Sequence, residues 1–155
     1  MTRDEIVAAL REKARVLYEG KRVAHRSCGI ALAEAFGRAT PAYQALRRGG
    51  ITGEGPCGAI LAGQLLLGEL LGDPDPTGPT TPALKAAMER YRAEMARRMG
   101  APNPICNDLV RPFGEFMSEP RASFCTELVA TVAEVVAQVA LEQGATLEVT
   151  AIPDR

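Results

Sequence analysis

Apolar positions recur at helical spacing along this chain, in stripes separated by polar segments rich in glycine and proline. Thr2-Arg3-Asp4-Glu5 has the form of a capping box and precedes Ile6, Val7, Leu10, Ala14 and Leu17, one face of a helix ending near Gly20. A second helix is expected from about Ser27 to Phe36, with Gly37 beyond its end. Thr40-Pro41, an N-cap followed by proline at the first helical position, opens a short helix that stops at Gly49-Gly50. The glycine-rich stretch to Gly58 reads as a loop, and a third major helix runs from Cys57 to Leu71. Proline-rich Asp73 to Thr80 interrupts the pattern, and Thr81-Pro82 opens a polar helix through Met99. A loop with Pro102 and Pro104 leads to Cys106. The last helix, about Arg121 to Gln143, carries Leu128, Val132, Val135, Val136 and Val139. The tail from Thr146 to Ile152 alternates and fits one strand, which would have no ladder partner. The expected fold is all-α: a compact bundle of about five helices with Gly/Pro-rich loops, one domain over residues 1–155.

Charge narrows the partners. With 18 basic and 19 acidic residues the net charge is −1, and no basic stripe is interleaved with aromatics, so nucleic acid is not an expected partner. The first residues lack the apolar core of a secretory signal. The longest apolar run, Ala59 to Leu71, is broken by Gly63, Gln64, Gly68 and Glu69 and is too short to span a bilayer. A cytoplasmic protein is expected. In a reducing cytosol its four cysteines are more readily ligands or catalytic thiols than disulfides.

Those cysteines, Cys28, Cys57, Cys106 and Cys125, stand at or near expected helix starts. Cys28 follows Ser27, Cys57 follows Pro56, and Cys125 is expected in the first turn after Ser118 to Pro120. A helix start carries partial positive charge and free N–H groups, which favour thiolate, the form that binds metals and attacks disulfides. Cysteine also packs as a small buried hydrophobe, which is the alternative for each of them. There is no Cys-x-x-Cys, which argues against a zinc ribbon, a thioredoxin motif and a bacterial ferredoxin run, and no Cys-x-x-Cys-His, which excludes c-type haem attachment. Any shared site must be assembled by the tertiary fold, one ligand per element.

The stretch Gly49-Gly50-Ile51-Thr52-Gly53-Glu54-Gly55-Pro56-Cys57-Gly58-Ala59-Ile60-Leu61-Ala62-Gly63 carries a more specific signal. Here the chain resembles a family of redox-active proteins named for the pattern C-GCAxxG-C-C. Cys28 matches the early cysteine, Cys57-Gly58-Ala59 the central motif, Cys106 in Ile105-Cys106-Asn107-Asp108-Leu109 the third, and Cys125 in Phe124-Cys125-Thr126-Glu127-Leu128-Val129 the fourth. The resemblance spans roughly residues 22 to 140. One departure is that Ala62 stands at the motif's closing glycine, with Gly63 one place later. The family is also similar to the helical domain of split-Soret cytochromes, whose cysteines hold an iron–sulfur cluster. The resemblance therefore implies that Cys28, Cys57, Cys106 and Cys125 ligate a cluster, with 2Fe–2S favoured and zinc or no metal as alternatives. Gly58, directly after Cys57, is expected to keep bulk away from whatever the sulfur binds.

Other features carry less. Ala59, Ala62, Gly63 and Gly68 suit close helix packing. Gly49, Gly50, Gly53 and Gly55 invite a phosphate-loop reading, but Pro56-Cys57-Gly58 stands where Gly-Lys-Ser/Thr is required. Free N–H groups in this loop are expected to face cluster sulfides. His25, the one histidine, is expected to be an ordinary surface or packed residue rather than a ligand. Glu34, Glu54, Glu115 and Glu127 form no pair for acid–base work, and Phe113 with Phe116 is expected to anchor the loop between Cys106 and Cys125.

Three functions fit: an electron-carrying cluster protein, a dithiol–disulfide oxidoreductase with Cys57 as the exposed nucleophile, and a helical interaction module whose cysteines merely pack. Soft thiolate donors suit iron–sulfur, zinc or cuprous copper, and the resemblance tips the choice to iron–sulfur. The partner expected is an unidentified redox protein, with a homodimer as one assembly the chain allows.

Overall fold

A computed structural model covers residues 1–155 and is helical throughout, with no strand. Six α-helices and two 3-10 turns follow one another: α1 (Arg3–Glu19), α2 (Cys28–Ala35), η1 (Pro41–Leu46), α3 (Gly58–Leu71), α4 (Pro82–Met99), α5 (Cys106–Val110), η2 (Arg111–Phe113) and α6 (Glu119–Glu142). The all-α class is as expected. The count of about five covers the helices of eight residues or more and omits the short elements, α5 and η2 in particular.

Local chemistry sets most boundaries. Thr2 and Glu5 form the reciprocal capping box at 2.9 and 3.1 Å, and Gly20 closes α1 at φ 74°. Thr81 accepts from the Leu84 N–H at 3.1 Å with Pro82 behind it, and Gly100 ends α4 at φ 81°. Ser118 caps α6 from Glu119, two residues ahead of the expected start. The tail after Gly144 is not a strand. Its alternating Ala145, Leu147, Val149 and Ile152 lie against the core, and Thr150 bonds the buried Lys13 amino group, so one face packs without any ladder.

α6 is the axis of the core, with α1 lying along it in the largest helix interface and α3 and α4 completing the wrap. Leu10, Leu17, Leu32, Leu66, Leu67, Val129, Val132 and Val135 are fully buried, each worth about 1.5–3 kcal/mol of removed apolar surface. Small residues let the axes approach. A Cβ on Gly63 would run into the Tyr91 hydroxyl of α4, which donates to the Ile60 carbonyl at 2.7 Å. α6 is also long and apolar enough to cross a membrane, but 72% of its apolar window is buried inside the protein, where it serves as core.

Candidate functional site

Four cysteines spread over a hundred residues of sequence line one cavity of about 280 Å³. Three of them open helices: Cys28 is the first residue of α2, Cys57 the N-cap of α3 and Cys106 the first residue of α5. Cys125 departs from expectation. Because α6 begins at Glu119, Cys125 falls past its first turn, on the helix flank facing the cavity. All four are free thiols, and no three His, Cys, Asp or Glu side chains stand close enough to hold a single metal ion.

The glycine-rich loop joins two of the four. The Cys57 N–H donates to the Pro104 carbonyl at 2.8 Å, and the Cys106 and Asn107 N–H groups donate to the Gly55 and Gly53 carbonyls, each at 2.9 Å. Pro56 and Ile105 thus form an isolated antiparallel bridge, and the loop caps the start of α5. Tight approach demands glycine: Gly49 has φ 59°, and a Cβ there would lie 2.5 Å from Cys106 Cβ and 2.8 Å from the Gly55 carbonyl. Gly58 is fixed first by packing: a Cβ on it would lie 2.1 Å from the Leu46 carbonyl oxygen and 2.9 Å from Cys28 Sγ. Part of the loop's donors are taken within the loop, while the Arg48 N–H approaches the Cys28 sulfur. The N–H groups of Ile51, Gly53 and Gly55 donate to the Arg47, Arg48 and Gly49 carbonyls, and that of Glu54 to the Thr52 hydroxyl. Arg48 (φ 47°) and Ile51 (φ 79°) take left-handed backbone in this loop, an uncommon conformation for an arginine and a strained one for a β-branched residue.

Helix starts do not make Cys28, Cys57 and Cys106 acidic. Burial pushes the Cys57 thiol up to about 12, against the opposing pull of the Ile60 and Ala59 N–H groups, which approach without closing a cap hydrogen bond. Burial likewise raises Cys28 to about 11, against the Gly29 and Arg48 N–H groups, and raises Cys106. Desolvation exceeds the helix-end field because a thiolate loses far more hydration than a few dipoles return. Cys57 is also not uncovered: it is 6% exposed, while Cys28 and Cys125 are half-buried.

Sequence reasoning missed the cations. Arg47, Arg48 and Arg121 line the cavity and no carboxylate does. Arg121, on the first turn of α6, is only 7% exposed and has no acidic partner. It donates to the Tyr18 hydroxyl at 2.7 Å and to the Phe116 carbonyl, and its guanidinium lies 4.0 Å from the Phe116 ring centre, with that of Arg48 at 4.3 Å. A basic residue in the first helical turn opposes the helix dipole, which was the available cue. Ser27 Oγ, also on the cavity wall, is buried with no hydrogen-bond partner. His25 is exposed; its Nδ1 meets the Tyr18 carbonyl and its ring packs edge-on to Tyr18 at 4.8 Å, although it borders the cavity. Of the expected aromatic pair, Phe113 stacks on Phe124 at 4.4 Å, and Phe116 carries the two arginines.

A family model described as "Putative redox-active protein (C_GCAxxG_C_C)" matches residues 24–139. No curated protein and no solved structure matches the chain.

Proposed function

Because the chain belongs to the C_GCAxxG_C_C family across residues 24–139, we propose that it is a redox protein that holds an iron–sulfur cluster on the thiolates of Cys28, Cys57, Cys106 and Cys125. The observation that carries this reading is a cavity lined by four thiols and three arginines with no carboxylate. Four thiolates around iron and sulfide make a net anion, and Arg48 and Arg121 are the charges such an anion needs. The thiols surround a volume and do not close on one point, which suits a polynuclear group better than a single zinc ion with donors at about 2.3 Å. The unpartnered Ser27 hydroxyl supplies a donor for sulfide or thiolate. Leu109, Val110, Leu128 and Val129 add apolar wall to the cavity, which leaves Cys28 and Cys125 half-buried.

The bound cluster supplies one-electron transfer, and the partner is a second redox protein. Dithiol exchange is disfavoured, since an attacking cysteine needs a lowered pKa and burial raises three of these. The test is iron and acid-labile sulfide analysis of anaerobically purified protein, with its visible absorption. Iron and sulfide in similar amounts, lost in the Cys57→Ser variant, are expected. Colourless wild-type protein without iron, even after anaerobic reconstitution, would sink the reading.

A further inference from the structure

Arg121 connects three parts of the molecule that are far apart in sequence. It rises from α6, bonds Tyr18 on α1, and holds the carbonyl and ring of Phe116 in the segment 111–118 that closes one side of the cavity. A cation this buried is normally matched by a carboxylate, and none is present. Its neighbours are neutral dipoles, an aromatic face and the thiols of Cys125 and Cys106. Metal binding replaces thiol protons by metal, leaving negative sulfur in place of neutral sulfur beside the guanidinium. We propose that Arg121 is a positioning residue that couples occupation of the cysteine cavity to closure of segment 111–118, as counter-cation to the bound thiolates and latch on Phe116. This rests on the reading of the cavity as a thiolate-bound metal centre, whatever the metal.

The segment is suited to such control. It has a 3-10 turn of three residues, then Gly114 at φ 82°, and Met117 is 86% exposed. Besides the Arg121–Phe116 contact it is held by Phe113 on Phe124 and by the Ser118 hydroxyl donating to the Phe113 carbonyl at 3.1 Å. With free thiols the Arg121–Phe116 contact is already made, but the guanidinium charge is uncompensated. With thiolates it is balanced, and the planar guanidinium holds Phe116 in place.

Cadmium is the probe, because several Cd²⁺ ions can share bridging thiolates across a cavity that does not close on one point, and they report by sulfur-to-metal ultraviolet absorption. Amide hydrogen exchange over residues 111–118 is measured in the full chain with and without saturating Cd²⁺. In the wild type the exchange should slow on binding. Arg121→Gln should bind Cd²⁺ about tenfold or more weakly, as expected for loss of a charge-assisted contact, and its segment should exchange equally fast with and without the ion. Arg121→Lys should recover most of the affinity but not the slowing, since an ammonium lacks the fork and stack. If Arg121→Gln loses its helical circular dichroism, Phe116→Leu removes the latch alone and should abolish the slowing at near-wild-type affinity. A Gln variant, or failing that a Leu variant, whose segment still slows at saturation overturns the proposal. So does a wild type that binds no Cd²⁺ or whose segment is indifferent to it. Arg121-dependent Cd²⁺ binding by a protein that takes up no iron and sulfide would sink the cluster reading and leave this one standing.

Discussion

The two halves of α6 share one backbone and follow opposite rules. From Leu128 to Leu141 every residue but Glu134 and Gln138 is buried, and alanines and valines let neighbouring axes close in. From Glu119 to Glu127 only Arg121 is buried, a cation where the other half has none. The first kind of burial removes apolar surface and stands by itself. The second leaves a charge unmatched beside a cavity of thiols, and such an arrangement is complete only with a partner. The core half should therefore matter equally in any state of the protein, and the site half should matter according to whether metal is bound.

The largest effect should come from the core. Val132→Asp places an unpaired charge among fully buried side chains and should cost up to about 5 kcal/mol, enough to unfold the chain with or without metal, as read by urea titration of both forms. Equal effects in both forms support the division, and rescue by metal would break it.

Next comes Cys57→Ser. In metal-free protein it exchanges one small buried group for another and should cost about 1 kcal/mol. In loaded protein it should remove the metal's contribution, about 4 kcal/mol when ligand exceeds its dissociation constant a thousandfold. Melting temperatures of the two forms of the variant should coincide. A metal-dependent increase that persists would exclude Cys57 as a ligand.

The pH response should separate the halves as well. Unfolded thiols ionise near 9.0, whereas burial holds Cys28 at about 11 and Cys57 at about 12. Between about pH 9 and 12 the unfolded chain gives up protons that the folded chain keeps. Stability of metal-free protein is therefore constant with respect to these thiols below pH 9 and falls as pH rises through that window. Loaded protein has thiolates already and should not show this loss. Melting curves at stepped pH check both statements, and identical alkaline profiles would mean the thiols are not the ligands.

The smallest effect concerns strain, which belongs to the site end. Ile51 is 61% exposed and sits at φ 79°, so its side chain returns little for the backbone it occupies. Ile51→Gly should stabilise the protein by about 1 kcal/mol, against the usual sign for glycine in a folded chain. A destabilised variant would show that this side chain has a packing role.

Much of the helical order was readable before any coordinates. The capping box at Thr2 and Glu5, the prolines at 41 and 82, and the glycine at 20 act within one turn of themselves, so their consequences are local. The four cysteines were legible as a group through the motif around Cys57, and Gly58 through its place beside it. The tail misled because alternation marks one buried face, and Ala145, Leu147, Val149 and Ile152 bury theirs on helices. Cys106 is legible as near a helix start, but the short α5 has no range in the sequence pattern, because its cap is not a side chain nearby but the Gly53 and Gly55 carbonyls, about fifty residues earlier.

What the sequence determined, then, is periodicity, caps and the supply of soft donors, all properties of neighbours along the chain. Only the tertiary structure decided that Cys28, Cys57, Cys106 and Cys125 share a cavity, that burial makes three of them poor acids in spite of helix starts at each, and that Arg121 meets Tyr18 across 103 residues. Desolvation and charge pairing depend on what surrounds a group in space. No local pattern encodes those surroundings, because they are contributed by α1, α2, α3, α5 and α6 together.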